Sequence, residues 1–128
     1  MDRVMEQPEI IAVNEYLRLR KYDGNYRQAV AWYGDPVVYR GSEGITDPEH
    51  IPDEDSVRGM YRWLSEHGEC YWIEALEDGA FIPIGDITVK AENMPIVIGP
   101  ARWRGRGVGK KVMKAAIRRA RELGFSKL

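Results

Sequence analysis

A short stretch of arginines, glycines and lysines has the residue types and spacing that best suit the binding of an anion. It runs from Arg104 to Lys111, follows an apolar segment that ends at Ile98-Gly99-Pro100, and precedes a periodic helical pattern. Where a strand leads through glycines into a helix, backbone N–H groups lack partners and the helix dipole favours negative charge. A glycine-rich pattern alone is a weak signal, and its position between a strand and a helix strengthens it. The stretch therefore predicts a phosphate-binding loop.

Glycines occupy three positions of this loop, and each suits a different requirement. Gly105 and Gly107 leave no side chain between the main chain and a ligand, and they tolerate positive φ. Gly109 falls in the first helical turn, where it permits close packing against a strand or a cofactor. The alternative interpretation is a flexible basic loop without a ligand.

The helix after the loop is the most strongly predicted element of the chain. Its apolar residues fall on one side at 100° per residue, namely Val108, Val112, Ala115, Ala116, Ala120 and Leu123. Cations fall on the opposite side, namely Lys110, Lys114, Arg118 and Arg121. Gly124 is placed to end the helix.

The elements before the loop alternate between strands and helices. The patterns predict a strand over residues 10–20 with a turn near Asn14, a short helix over residues 26–33 that ends before Asp35-Pro36, and a helix with Val57, Met60, Tyr61 and Leu64 on one face. Strands follow over residues 70–76, 81–90 and 94–98, with a hairpin turn at Asp78-Gly79. Pro83 indicates an edge position or a bulge in the second of these strands.

Length and composition describe one ordinary globular domain. The chain has 128 residues, of which 44% are hydrophobic and 30% charged. No apolar stretch approaches the ~20 residues that span a bilayer, and the N-terminus has no signal-peptide core. The single cysteine, Cys70, excludes an intrachain disulfide, so a reducing cytoplasm is expected, with Cys70 as a small buried residue.

The net charge of −1 conceals a steep asymmetry along the chain. Residues 1–101 carry 9 Lys and Arg against 19 Asp and Glu, whereas residues 102–128 carry 10 Lys and Arg against one acid. The basic part coincides with the glycine loop and its helix, so the local field also favours an anion there. The acidic part is a solvated surface or favours a cationic substrate.

The loop resembles the pyrophosphate loop of the GNAT acyl-CoA N-acyltransferases. The resemblance rests on Arg104-x-x-Gly107-x-Gly109, on the wider run from Ile98 to Lys111, and on the tail from Ala120 to Phe125. Trp32 and Asp35-Pro36 stand where the small-molecule and ribosomal-protein-type branch has an early Trp and an Asp-Pro. The resemblance implies a single α/β (α+β) domain over residues 1–128, with a mixed, mainly antiparallel sheet flanked by helices.

Domains of this family continue beyond the loop helix with a further strand, a helix and a final strand or hairpin. This sequence stops at Lys127-Leu128, so we expect the domain to lack those C-terminal strands. The segment from Met94 to Ile98 would then be an open apolar edge, which favours a homodimer or a strand-swapped oligomer.

The resemblance also implies acetyl transfer from acetyl-CoA to a primary amine. Two sets of residues would bind this cosubstrate, the strand residues Ile96, Val97 and Ile98 beside the pantetheine arm and the loop residues Arg104, Gly105, Arg106, Gly107, Val108, Gly109 and Lys110 around the pyrophosphate. The N–H of Val97 or Ile98, with Ile98 preferred, would donate to the thioester carbonyl.

The remaining site residues follow from residue type and position. Glu74 is the preferred candidate for the general base, with Glu92 and Asp86 as alternatives, and each of the three could instead be a solvent-facing strand acid. Trp32, Tyr33 and Tyr39 lie near where the family receives the acceptor amine, and core packing is the other interpretation for Trp32. His50 and His67 match no metal-ligand spacing, so no metal is expected.

Two further functions compete with acetyl transfer. The chain could be a non-catalytic remnant that binds CoA or dimerises. It could also bind nucleic acid through basic residues of the last helix, namely Lys110, Lys111, Lys114, Arg118, Arg119 and Arg121. The acidic remainder of the chain argues against the nucleic acid. It favours a cationic amine, although the sequence does not identify the acceptor.

Overall fold

A computed structural model of the chain describes residues 6–38 and 52–125. The strands are β1 (Ile10–Ala12), β2 (Leu17–Lys21), β3 (Glu69–Glu77), β4 (Ala80–Val89) and β5 (Ile96–Ile98). The α-helices are α1 (Val30–Tyr33), α2 (Glu54–His67) and α3 (Val108–Glu122), with 3₁₀ turns at Tyr26–Ala29 and Ala101–Trp103. These elements confirm the predicted order, except that the first predicted strand is a hairpin.

The turn between β1 and β2 lies at the predicted position. The Asn14 side-chain oxygen accepts hydrogen bonds from the N–H groups of Tyr16 and Leu17, which closes the turn. The five strands pair antiparallel in chain order, with β1 at one edge and β5 at the other. The predicted mainly antiparallel sheet flanked by helices is therefore confirmed.

Helices cover both faces of the sheet. On the face that we call the front, Tyr33 of α1 and Tyr61 of α2 pack against Trp72 of β3, and on the back face Val112 of α3 packs against Ile73 of β3. The neighbouring β3 residues Tyr71 and Trp72 are both fully buried, because a strand alternates its side chains between two covered faces.

Pro83 lies next to a bulge in its own strand. Ile73 pairs with Gly85 and Glu74 pairs with Pro83, so the β3–β4 register skips one residue of β4. The bulge interpretation is therefore confirmed, and β5 pairs β4 only at residues 85–87 and does not reach Pro83.

Helix α3 has the predicted apolar face and the predicted end. Gly124 adopts a φ of 90°, and the Phe125 N–H donates to the Ala120 carbonyl, as in a glycine-terminated helix. The prediction that Arg119 could contact phosphates is wrong. The residue is 5% exposed, and its guanidinium makes two 2.8 Å hydrogen bonds to the Glu69 carboxylate, which ties α3 to β3. No helix in residues 6–38 or 52–125 combines the length and apolarity needed to cross a membrane.

Candidate active site

Main-chain groups along the outer edge of β5 point away from the rest of the sheet. The Gly99 N–H donates to Ile84, and the Thr88 N–H donates to Pro95, on either side of the Asp86–Val97 pair. Antiparallel pairs alternate between hydrogen-bonded and non-hydrogen-bonded, so the N–H and C=O groups of Val97 face β4. Those of Ile96 and Ile98 therefore point away from β4, to a side where no described strand pairs. Of the two predicted thioester ligands, this geometry favours Ile98 over Val97.

The glycine loop enters α3 through a left-handed residue. Gly107 is the N-cap with a φ of 77°, and Gly105 has a φ of 71°. A Cβ at either position would meet no atom within 4 Å, so backbone conformation, not crowding, requires glycine there. A Cβ on Gly109 would lie 3.9 Å from the Ile96 side chain, which is an ordinary contact. Close packing against the strand therefore does not explain Gly109.

The N-termini of α2 and α3 differ in a way that indicates an anion site. Asp53 caps α2 by accepting from the Ser56 N–H, and acids occupy its first turn. In α3 the cap is Gly107, which has no side chain to accept such a bond, and the first turn contains no acid. The exposed Lys110 lies in that turn. The positive end of the α3 dipole is thus left uncompensated by the side chains described around it.

The arginines of the loop are largely engaged with the protein itself. Arg104, predicted to hold the cofactor, donates instead to the Asp35 carboxylate and to the carbonyls of Ile98 and Gly99. Arg106 is exposed and stacks over the Trp103 ring, 5.0 Å from its centroid. A ligand at this loop would therefore meet main-chain N–H groups and lysines more than the Arg104 side chain.

The predicted acceptor-side aromatics take different positions. Trp32 packs on Gly99, where a Cβ would lie 2.2 Å from the indole, and its ring meets Trp72 edge-on at 6.0 Å. Tyr33 is 2% exposed and belongs to the front core. Tyr39 lies outside the described residues, as does His50.

The carboxylate of Glu74 is committed to an ion pair. Its two oxygens accept from Arg18 Nε at 2.7 Å and from Arg20 Nε at 2.6 Å, and its side chain is 4% exposed. With a guanidinium on each oxygen, this group is poorly placed to receive a proton from an amine. The geometry favours a structural ion pair over the predicted general base.

Asp86, named as an alternative base, lies in a more unusual environment. One carboxylate oxygen accepts from Tyr33 Oη at 2.8 Å and from Tyr61 Oη at 2.6 Å, and the residue is 2% exposed. Burial raises its pKa to about 6, against the opposing effect of the two hydroxyl donors. Burial also raises the pKa values of Tyr33 and Tyr61, and the negative charge of Asp86 is the second cause of the increase in both. Its backbone neighbour across the strand pair is Val97 of β5.

The outward face of α3 is concave and cationic. Two adjoining depressions of about 140 and 370 Å³ lie on it, both lined by Lys114 and Arg118. Neither residue has an ion-pair partner among the described side chains. In residues 6–38 and 52–125, no group of three His, Cys, Asp or Glu side chains is arranged to hold a metal ion.

A family sequence model matches most of this chain. Residues 31–128 match the sequence model of the Acetyltransferase (GNAT) family. The chain therefore belongs to this family, and the predicted resemblance is confirmed. The sequence has no match among proteins of curated function.

Two solved structures share the fold. A domain from Methanocaldococcus jannaschii DSM 2661 superposes with a TM-score of 0.68 at 17% identity, covering 85% of this chain and 72% of that one. The microcin C7 self-immunity acetyltransferase MccE, solved with acetyl-CoA and AMP, gives a TM-score of 0.64 at 14% identity, covering 94% and 71%. At these identities the likeness establishes the fold alone.

Proposed function

We propose that this protein transfers an acetyl group from acetyl-CoA to a primary amine. The observation that carries the proposal is the outward-facing Ile98 N–H on a strand whose Ile96 lies next to Gly109, at the N-terminus of α3 that no side chain caps. The Ile98 N–H suits a thioester carbonyl, and the N-terminus of α3 suits a pyrophosphate. Membership of the GNAT family supports acyl transfer, and the acetyl-CoA complex of MccE supports the choice of donor.

The cosubstrate would lie along β5 and end on the glycine loop. The outward-facing main-chain groups of Ile96 and the Ile98 N–H would contact the acyl-pantetheine end of the cosubstrate, while the side chain of Val97 contributes to the front core. The N–H groups that follow Gly107 would bind the pyrophosphate, with Lys110 adding charge. The cations of α3 would attract the anionic cosubstrate over a longer range.

The reaction would be direct attack by the amine nitrogen on the thioester carbonyl. A C–N bond forms, the C–S bond breaks, the sulfur leaves as a thiolate, and the nitrogen gives up one proton. The Ile98 N–H would donate to the carbonyl oxygen as negative charge develops on it. Since Glu74 is held between two arginines, we assign the proton transfer to no residue of this chain.

A variant at Gly109 tests cosubstrate binding without unfolding the loop. Gly109→Glu places a carboxylate in the first turn of α3, where the pyrophosphate would lie. We expect the affinity for acetyl-CoA, measured by calorimetry, to fall at least about tenfold because like charges repel. The melting temperature should not fall, because Glu is a better helix former than Gly and acids suit a helix N-terminus.

The matched control is Gly59→Glu. Gly59 lies on the exposed side of α2 with no atom near its added Cβ, so this variant introduces the same charge away from the loop. Turnover is then measured with a panel of a polyamine, an aminoglycoside, an amino acid and a ribosomal N-terminal peptide. Equal affinities in both variants would contradict the proposed site. Binding without turnover of any amine would favour a CoA-binding protein that is not an enzyme.

A further inference from the structure

The guanidinium of Arg104 connects three parts of the chain. Its Nε donates to the Ile98 carbonyl at 3.2 Å, and one terminal nitrogen donates to the Asp35 carboxylate at 3.0 Å and to the Gly99 carbonyl. The side chain of Arg104 is 24% exposed, so these bonds are partly shielded from water. The Arg104 guanidinium and the Val37 N–H hold the pKa of Asp35 below its usual value.

A second contact joins the same two segments. Trp32 of α1 lies against Gly99, so closely that any side chain at position 99 would overlap the indole. Trp32 and Asp35 are three residues apart, and the Asp35 N–H donates to the Trp32 carbonyl. The end of α1 is thus fixed to the end of β5 by a ring contact and by a charged hydrogen bond.

We propose that Arg104 and Asp35 are positioning residues, a latch that orients the Ile98 N–H and holds the acceptor side of the site against the acyl side. The inference rests on the proposed function, because Ile98 is the residue assigned to the thioester carbonyl. Both polar groups of Ile98 face the open edge, and Arg104 occupies the carbonyl while leaving the N–H to the substrate. Arg104 therefore acts through Ile98 rather than by contact with the pyrophosphate.

This assignment separates binding from turnover. If Arg104 were a phosphate ligand, its loss would weaken acetyl-CoA binding and turnover together. If it positions Ile98, its loss lowers kcat, since small displacements of a group that stabilises the transition state are costly, while the dissociation constant of acetyl-CoA changes little. Lysine keeps the charge but lacks the planar fork that reaches two carbonyls and a carboxylate at once.

The experiment compares Arg104→Lys and Asp35→Asn with a pair from the same region, Arg102→Lys and Glu77→Gln. Arg102 and Glu77 form an exposed ion pair at 3.1 Å that touches neither Ile98 nor Gly99. We expect the first pair of variants to lower kcat with the best acceptor of the amine panel by about 10- to 100-fold. The dissociation constant of acetyl-CoA should change less than threefold, and the control pair should match the wild type in both.

A second measurement needs no turnover. In the cosubstrate-free protein, amide hydrogen exchange over residues 96–104 should be faster in Arg104→Lys and Asp35→Asn than in the wild type, and unchanged in the controls. Unchanged exchange would overturn the latch, and so would a loss of acetyl-CoA affinity that parallels the loss of kcat. A wild-type protein that binds no acetyl-CoA would overturn the proposed function. The exchange result would still show whether Arg104 and Asp35 hold residues 96–104 in place.

Discussion

At the scale of single residues, the two buried carboxylates of the front face, Glu74 and Asp86, differ in the charge of their hydrogen-bond partners. Glu74 is balanced by two guanidinium groups, whereas Asp86 has only the hydroxyl groups of Tyr33 and Tyr61 on its bonded oxygen. A hydroxyl donor stabilises an ionised carboxylate less than a cation does, so burial dominates at Asp86 and raises its pKa to about 6. The charge of Asp86 should therefore respond to mild acid.

Replacing Asp86 with Asn should remove a pH-dependent component of stability. The pKa in the folded protein lies above the usual Asp value of about 3.9, so the folded state binds this proton more tightly than the unfolded chain. That stabilisation is fully present below about pH 4 and is lost as the pH rises through 6. We therefore expect the stability of Asp86→Asn relative to wild type to increase by about 2 kcal/mol between pH 4 and 7.

Urea unfolding of both proteins across this pH range measures the difference, in which the contributions of other groups cancel. The same relative stability at every pH would show that Asp86 titrates normally. A decrease with rising pH would show that the Asp86 carboxylate is stabilised in its ionised form.

At the scale of elements, the pairing of β4 with β5 places the whole candidate site. β5 is only three residues long, and its register against β4 decides that Ile98 rather than Val97 faces the open edge. Gly85 of β4 makes this pairing possible, because a Cβ there would lie 2.0 Å from the Val97 carbonyl oxygen. The obstructing oxygen belongs to the backbone of β5 and cannot rotate away as a flexible side chain could, so β5 itself would have to move.

Gly85→Ala should therefore displace β5 and weaken acetyl-CoA binding along with stability. Overpacking of this kind typically costs about 1–3 kcal/mol in the free energy of unfolding. Gly59→Ala is the matched control, since it lies in an open part of α2 and should stabilise the protein by up to about 1 kcal/mol through helix propensity. Urea unfolding and calorimetry would check both, and a Gly85→Ala protein with wild-type affinity would contradict the role given to the β4–β5 pairing.

At the scale of the whole molecule, the open edge of β5 offers the same main-chain groups to two kinds of partner. The outward-facing groups of Ile96 and Ile98 could pair with a second strand, as in the homodimer predicted from the sequence, or with the pantetheine of acetyl-CoA. Both partners cannot use these groups at once. An edge-to-edge dimer and the acetyl-CoA complex should therefore exclude each other.

Sedimentation velocity can test this competition. We expect a monomer–dimer equilibrium at micromolar concentration that shifts towards monomer when acetyl-CoA is added. In Gly109→Glu, which should bind acetyl-CoA poorly, the same addition should have no effect. A protein that is monomeric at every concentration would contradict the predicted dimer, and a dimer strengthened by acetyl-CoA would place the interface elsewhere than β5.

Local patterns in the sequence were enough to predict most elements and the anion loop. The periodicity of α3, the acids before α2, and the turns at Asn14 and Asp78-Gly79 are set by contacts within a few residues, so they can be recognised without the fold. The family resemblance lies in the loop for the same reason, because Gly105 and Gly107 are required by local backbone conformation.

The partners of the polar side chains were decided by the tertiary structure alone. Arg104 meets Asp35 across 69 residues of sequence, Glu74 meets Arg18 across 56, and Asp86 meets Tyr33 across 53. No local pattern records such distances, which is why Glu74 looked available as a base and Arg104 as a phosphate ligand. The sequence by itself determined the glycine turn that leads into α3, where we expect an anion to bind, since backbone conformation is local. Only the packing of sheet and helices decided which side chains remain free to act there, since charge pairing is a long-range contact.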